Sequence, residues 1–390
     1  MSATIFRFRS EHLVLLVLTV LLAGCGGGHS VFCAVPASGS SCTCGPCPVD
    51  PGPEFVYATS STAGQILTFT VDHKTGALGT PTTTIGPTLP AGIASAQHQF
   101  LYVSDSPHNG VDAFSINQTT GALITVPGSP FSTGGITPFP PMWLVAGPGL
   151  YATSLGGVIT GFTIASNGAL TPVAGPVFVG GAGQAALGQS NTTPINYFLY
   201  ATSFLDPNGA ISAFKVDPVS GILTPIPGNF TTGTATGPDG IVFDGTLGPF
   251  VFVALNTANK IAAFSVDPTT GALTPVPGSP FGAGTSPVFL ALSASQDFLY
   301  SMNFAGRSIS AFSIASNGVL TQVPGSPFQL SDVPGGITVT GDNFLYVTLP
   351  ESNQIVGFSI TANGGLSALA GSPFTASRAV LVTTVQIPPP

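Results

Sequence analysis

The stretch FVFVALNTANKIAAFSVDPTTGALTPVPGSPF, residues 250–281, decides the architecture. Phe250 to Ala254 is a short apolar, β-prone run. Lys260 to Val266 is a second, closing on Ala263-Phe264-Ser265-Val266. Asp267-Pro268-Thr269-Thr270-Gly271 separates it from a third run, Ala272 to Val276. Asp-Pro opens a turn because Pro presets φ, and Gly supplies the left-handed position that ends it. Two β runs joined by such a loop read as a hairpin.

The unit recurs along the chain. The aromatic residue of the second run stands at Phe69, Phe114, Phe162, Phe214, Phe264, Phe312 and Phe358, so there are seven copies spaced 45, 48, 52, 50, 48 and 46 residues apart. The first run returns as Phe55-Val56-Tyr57, Phe100-Leu101-Tyr102, Leu150-Tyr151, Phe198-Leu199-Tyr200, Phe298-Leu299-Tyr300 and Phe344-Leu345-Tyr346. A Pro-Gly-Ser-Pro-Phe tail closes the unit at Pro127–Phe131, Pro277–Phe281 and Pro324–Phe328. A period of about 40–50 residues with several short strands is the signature of a propeller blade. An inner strand precedes each aromatic run, as in Gly92-Ile93-Ala94, Trp143-Leu144-Val145, Gly240 to Phe243, Val288 to Leu292 and Gly336 to Val339. The first unit has no such strand before Glu54, and a lone run, Ala379 to Val385, follows the last. The expectation is an all-β, seven-bladed β-propeller of four-stranded antiparallel blades, its ring closed by this C-terminal strand. Prolines on the outer strands discourage edge pairing. Ile387-Pro388-Pro389-Pro390 reads as a frayed end.

Three segments are expected: a signal peptide at 1–24, a Cys-, Gly- and Pro-rich tether at 25–53 and the propeller at 54–390. Arg7 and Arg9 precede an apolar run, Leu13 to Leu22, too short for a spanning helix with normal flanks. Leu22-Ala23-Gly24-Cys25 resembles a bacterial lipobox. The resemblance implies cleavage before Cys25 and diacylglycerol on its sulfur, hence a lipid-anchored, extracytoplasmic protein of the bacterial envelope. Gly26 is no acidic retention signal, so outer-membrane sorting, or a periplasm-facing position, is the default. Cys33, Cys42, Cys44 and Cys47 are the remaining cysteines. Outside the cytoplasm they read as two disulfides with three possible connectivities; a metal site through Cys42 to Cys47 and free thiols are the alternatives.

After cleavage, Lys74, Lys215, Lys260, Arg307 and Arg378 stand against fourteen carboxylates, a formal charge of −9. No basic patch exists for nucleic acid. Only 6% of residues are charged, which fits strands buried between stacked blades.

The repeats resemble those of lactonase-type seven-bladed propellers, a group that includes 6-phosphogluconolactonases and muconate-lactonising enzymes. Phe100–Ser104, Ile309–Ile314 and Thr270–Phe281 carry the resemblance, which spans Glu54 to Val385. It implies catalytic His, Arg and Glu residues on one face. The histidine-bearing inner strand has no counterpart here: no histidine closely precedes Pro238-Asp239-Gly240. His73 and His98 fall on turns of the opposite face, which leaves His108. A sugar phosphate also needs cations to hold it.

The loops between second and third strands, and those leading into the inner strands, share one face where propeller ligands usually bind. Lys260 and Arg307 are the cations expected there, as an anion clamp or as solvated loop ends. Asp105 with His108 reads as a carboxylate-oriented base or as surface decoration. Trp143 reads as a stacking platform or as core. Asp239 faces the same mouth. The catalytic candidates are therefore His108, Arg307, Glu351 and Asp105, and the ligand-binding candidates Lys260, Arg307, Asp105, Asp239 and Trp143. No metal site or cofactor is assigned within the propeller. The reading is a ligand- or protein-binding module with a small sugar-like ligand or an envelope protein as partner. The alternatives are a sugar lactonase and a structural envelope protein.

Overall fold

Runs such as Phe100–Asp105, Phe250–Leu255 and Phe344–Leu349 are buried at every residue, because a neighbouring blade covers each side of the sheet. That is why they read as continuous apolar runs and not as alternating strands. The computed structural model describes residues 51–60, 64–134, 141–154, 156–173, 175, 177–181, 183–245 and 248–389. The expectations for the signal peptide, for Cys25 and for Cys33, Cys42, Cys44 and Cys47 fall on residues 1–50, outside that description.

The described residues form seven antiparallel sheets, the blades of an all-β seven-bladed propeller. Blade 2 shows the pattern. Ile93–Ala96 is innermost, followed outward by Phe100–Asp105, Gly110–Ile116 and Leu123–Thr125. A two-residue strand, Phe131–Ser132, then pairs with the other half of the same third strand. The outer position is thus shared by two short pieces, and the blade stays four strands wide. The Gly-Ser-Pro break between the pieces has a purpose. Where the outer strand leaves the ladder, the Ser129 hydroxyl accepts the Ala113 N–H at 3.0 Å. Ser279, Ser326 and Ser372 do the same for Ala263, Ala311 and Gly357, each at 2.9 Å. In these four blades the third-strand donor is therefore not stranded at the break.

Blade 1 takes its inner strand from the far end of the sequence. Ala379–Gln386 pairs with Glu54–Ser60, from Glu54 opposite Gln386 to Ser60 opposite Ala379. This is the closure expected from the repeat count. The end of the chain departs from expectation: Ile387 is buried and donates its N–H to the Pro53 carbonyl at 2.8 Å. The closing strand therefore runs on into packed structure, and fraying cannot begin at Ile387. The inner strand of blade 4, Ala185–Gln189, escaped the sequence reading because Ala-Ala-Leu-Gly-Gln carries no β-branched or aromatic residue.

Blades are joined by a repeated contact. Tyr57, Tyr102, Tyr151, Tyr200, Tyr300 and Tyr346 each donate a buried hydroxyl to the carbonyl of a turn glycine in the next blade, at 2.6–3.0 Å. The acceptors are Gly121, Gly168, Gly221, Gly271, Gly364 and Gly76. Tyr346 to Gly76 carries the pattern across the closure. Blade 5 has Phe252 in the tyrosine position. Gly121 shows why the turn residue is glycine: its φ is +70°, and an added Cβ would lie 2.5 Å from the Phe55 ring. The core accordingly lies between blades, as where Phe198, Tyr200 and Ile211 meet Val251, Val253 and Phe264.

Candidate functional site

The turn between second and third strands ends in every blade on a left-handed residue: Gly64, Asn109, Gly157, Gly209, Asn259, Arg307 and Asn353. Each offers its carbonyl to the first residue beyond the outer strand, from Gly86 in blade 1 to Ala376 in blade 7, at 2.7–3.0 Å. These contacts tie the two loop sets together on one face, as expected. Six positions carry Gly or Asn, the residues that tolerate this conformation. Arg307, at φ +45°, is the exception.

On this face a polar chain crosses three blades at the inner strands. Gln184, buried ahead of the blade 4 inner strand, donates to Asp239 Oδ1 at 3.2 Å and to the Val288 carbonyl of blade 6 at 3.3 Å. Asp239 lies on the blade 5 inner strand, Pro238–Asp244, and is also hydrogen-bonded by the Asn256 side chain. Ser286 donates to Asn256 Oδ1 at 3.0 Å. Thr202 holds the Asp239 backbone through its carbonyl at 2.8 Å. Burial pushes the Asp239 carboxyl up to about 6, against the lowering effect of Asn256 and Gln184. A carboxyl poised near neutrality exchanges a proton in the physiological range, or donates a hydrogen bond when neutral.

The other candidates are placed as follows. Asp105 is buried, and its Oδ2 meets His108 Nδ1 at 2.6 Å while the imidazole is largely exposed. Asp112 lies near this pair; burial, and secondly the Asp105 charge, raise its pKa. Arg307 is exposed and sits close enough to Asp332 to help lower its pKa, after the hydrogen bonds from the Ser352 hydroxyl, at 2.6 Å, and the Val333 N–H. Glu351 is exposed and engages Arg378 Nη1 at 2.8 Å. Lys260 is exposed at the start of its strand and joins no ion pair among the described residues. Trp143 is half-buried on the blade 3 inner strand, Pro141–Ala146.

Of the four catalytic candidates, the structure joins only Asp105 to His108. Arg307 lies in blade 6 beside Asp332, and Glu351 lies in blade 7 paired with Arg378. Lys260 and Arg307 are not the only cations on this face: Arg378 sits just before the closing strand and binds Glu351. The sequence reading placed Asp239 at this mouth without joining it to Gln184, Asn256 or Ser286. Their separation along the chain hides the chain of contacts; the repeat register was the signal that could have found it. On the opposite face, an open depression of about 540 Å³ between blades 3 and 4 is lined by Pro148, Leu187, Gln189, Tyr197 and Pro218, with no charged group.

Fold and repeats together define a seven-bladed β-propeller. Residues 155–285 match a family model described as Lactonase, 7-bladed beta-propeller. Among solved structures, a candidate 6-phosphogluconolactonase from Bacteroides fragilis has a TM-score of 0.72 at 21% identity, covering 87% of this chain and 100% of that one. The periplasmic gluconolactonase PpgL of Pseudomonas aeruginosa has a TM-score of 0.69 at 16% identity, covering 86% and 100%. A protein from Lactobacillus plantarum gives 0.65 at 20%, covering 85% and 99%. No curated protein matches the sequence. At these identities the solved structures speak for the fold alone.

Proposed function

We propose that this propeller is an extracytoplasmic binding module, held to the envelope by lipid on Cys25, that takes a small hydroxylated ligand at the mouth formed by Gln184, Asp239, Asn256 and Ser286. The observation that carries the reading is the Asp239 carboxyl, set near neutrality inside a three-blade polar chain. Amide, hydroxyl and carboxyl groups together suit the alternating donors and acceptors of a sugar or aldonic acid. A phosphorylated sugar suits the face less well. Arg378 is engaged by Glu351, Arg307 sits beside Asp332, and Lys260 joins no ion pair among the described residues.

A second reading, hydrolysis of a sugar lactone, is favoured by the family match and by the names of the similar structures. Asp239 is then the candidate base; the sequence reading had put forward His108 oriented by Asp105 for that role, with Arg307 and Glu351 as further catalytic candidates. Thermal shift of the protein against sugar lactones, aldonic acids and oligosaccharides tests both, since a ligand that binds only the folded state raises the midpoint by mass action. The binding reading expects a saccharide hit that Asp239→Asn abolishes. A hit unchanged in Asp239→Asn sinks this site. Lactone turnover lost in that variant moves the assignment to the enzyme.

A further inference from the structure

On the opposite face, where the ring closes, three side chains from distant parts of the sequence converge. Glu54 opens the second strand of blade 1, His73 lies in the turn after the third strand of that blade, and Asp342 lies in the turn between the inner and second strands of blade 7. One donor atom from each lies within 4.8 Å of the others. His73 Nδ1 contacts Asp342 Oδ2. We propose that Glu54, His73 and Asp342 form a divalent-cation site that fastens the last blade to the first.

The strongest support is Glu54. The residue is only 2% exposed. Its Oε1 accepts the Gly341 N–H at 2.9 Å, but Oε2 is buried and has no hydrogen-bond partner. A buried carboxylate oxygen without a donor is costly, and an ion is one of the few things that supplies the missing contact. The surroundings are rich in negative charge. Burial, then the charges of Glu54, Asp342 and Asp72, raise the pKa of the neighbouring Tyr346 hydroxyl. His73 is further hydrogen-bonded to the Gly52 backbone, the kind of outer contact that orients a metal-bound imidazole.

The spacing fits. Donors at roughly 2.0–2.2 Å from a common ion lie at most about 4.4 Å apart, so modest side-chain rotation closes the set. Two carboxylates and one imidazole form a hard, oxygen-rich set that suits Mn²⁺ better than a thiolate-seeking ion. The site stands independently of the ligand mouth on the other face. It escaped the sequence reading because His73 and Asp342 are 269 residues apart and no local spacing announces them.

The test is titration of the full chain, stripped with chelator, with MnCl₂, following the free-ion electron paramagnetic resonance signal and the thermal midpoint. Mn²⁺ is chosen because the cysteines of residues 1–50 compete poorly for it. The expected result is one equivalent bound with a raised midpoint. Glu54→Gln and Asp342→Asn should each weaken binding tenfold or more and remove the midpoint shift. Asp342 is partly exposed, so its variant keeps the test valid if Glu54→Gln fails to fold. No uptake at millimolar Mn²⁺, or uptake unchanged in Asp342→Asn and His73→Gln, overturns the proposal.

Discussion

Phe252 interrupts a ring of six tyrosine hydroxyls, and restoring the seventh is a direct test of how the blades are held together. Phe252 is fully buried and occupies in blade 5 the place that Tyr200 and Tyr300 occupy in blades 4 and 6. Its acceptor by register is the carbonyl of Gly318, the buried, left-handed turn glycine of blade 6. The six existing bonds span only 2.6–3.0 Å, so the repeat geometry places a hydroxyl at residue 252 within reach without moving the ring. Because the ring is already buried, Phe252→Tyr changes almost nothing but this bond. A net intramolecular hydrogen bond contributes about 0.5–1.5 kcal/mol. The expected gain is therefore about 1 kcal/mol, or about 1–2 °C in a chain of this size. Urea unfolding reads it better, as a raised midpoint at unchanged slope. The converse, Tyr102→Phe, leaves the Gly168 carbonyl without its donor and should cost about 1–2 kcal/mol. A destabilised Phe252→Tyr together with a neutral Tyr102→Phe would refute the claim that these bonds hold blade to blade.

Three further outcomes are expected. Arg307→Asn, which places at this left-handed position the residue found in blades 2, 5 and 7, should stabilise by about 0.5–1 kcal/mol in urea unfolding, since the charge beside Asp332 is exposed and contributes little. Gly121→Ala should cost about 2–4 kcal/mol, because a left-handed backbone and a Cβ 2.5 Å from Phe55 act together; a loss under 1 kcal/mol would show that the aromatic ring yields freely. Asp239 gives a pH signature. Its folded pKa, about 6, lies above the unfolded value, so the unfolded chain ionises first as pH rises. The group then costs stability progressively from about pH 4 to 6 and fully above that, by about 3 kcal/mol. Asp239→Asn should remove that loss: relative to wild type, its stability at pH 7 should exceed that at pH 4 by about this amount, and equal differences at the two pH values would contradict the raised pKa.

The architecture is legible because it is written seven times. Phe69 and its six equivalents set the blade number, and the unpaired run at Ala379 to Val385 sets the closure. Legibility fails where a blade departs from the repeat. The blade 4 inner strand lacks β-forming residues, and its neighbours in space, not its own side chains, decide its conformation. The site is legible only in pieces. Asp105 and His108 are three residues apart, so their contact can be anticipated. Gln184 to Asp239, and Glu54 to Asp342, depend on which inner strands and turns become neighbours around a ring, a tertiary property that local periodicity does not encode.

The closing strand also sets an order of events. On the ribosome, Glu54–Ser60 emerges early, yet its inner neighbour, Ala379–Gln386, is made only after all the other blades. Throughout that interval one flank of the first sheet is a bare row of donors and acceptors, able to recruit a strand from another chain. Joining segments some 300 residues apart also costs about 5 kcal/mol of chain entropy, levied in a single late step. A nascent chain stalled before Ala379 would hold seven repeats and no finished ring, so premature termination just before Ala379 should yield aggregates and not a propeller lacking one strand.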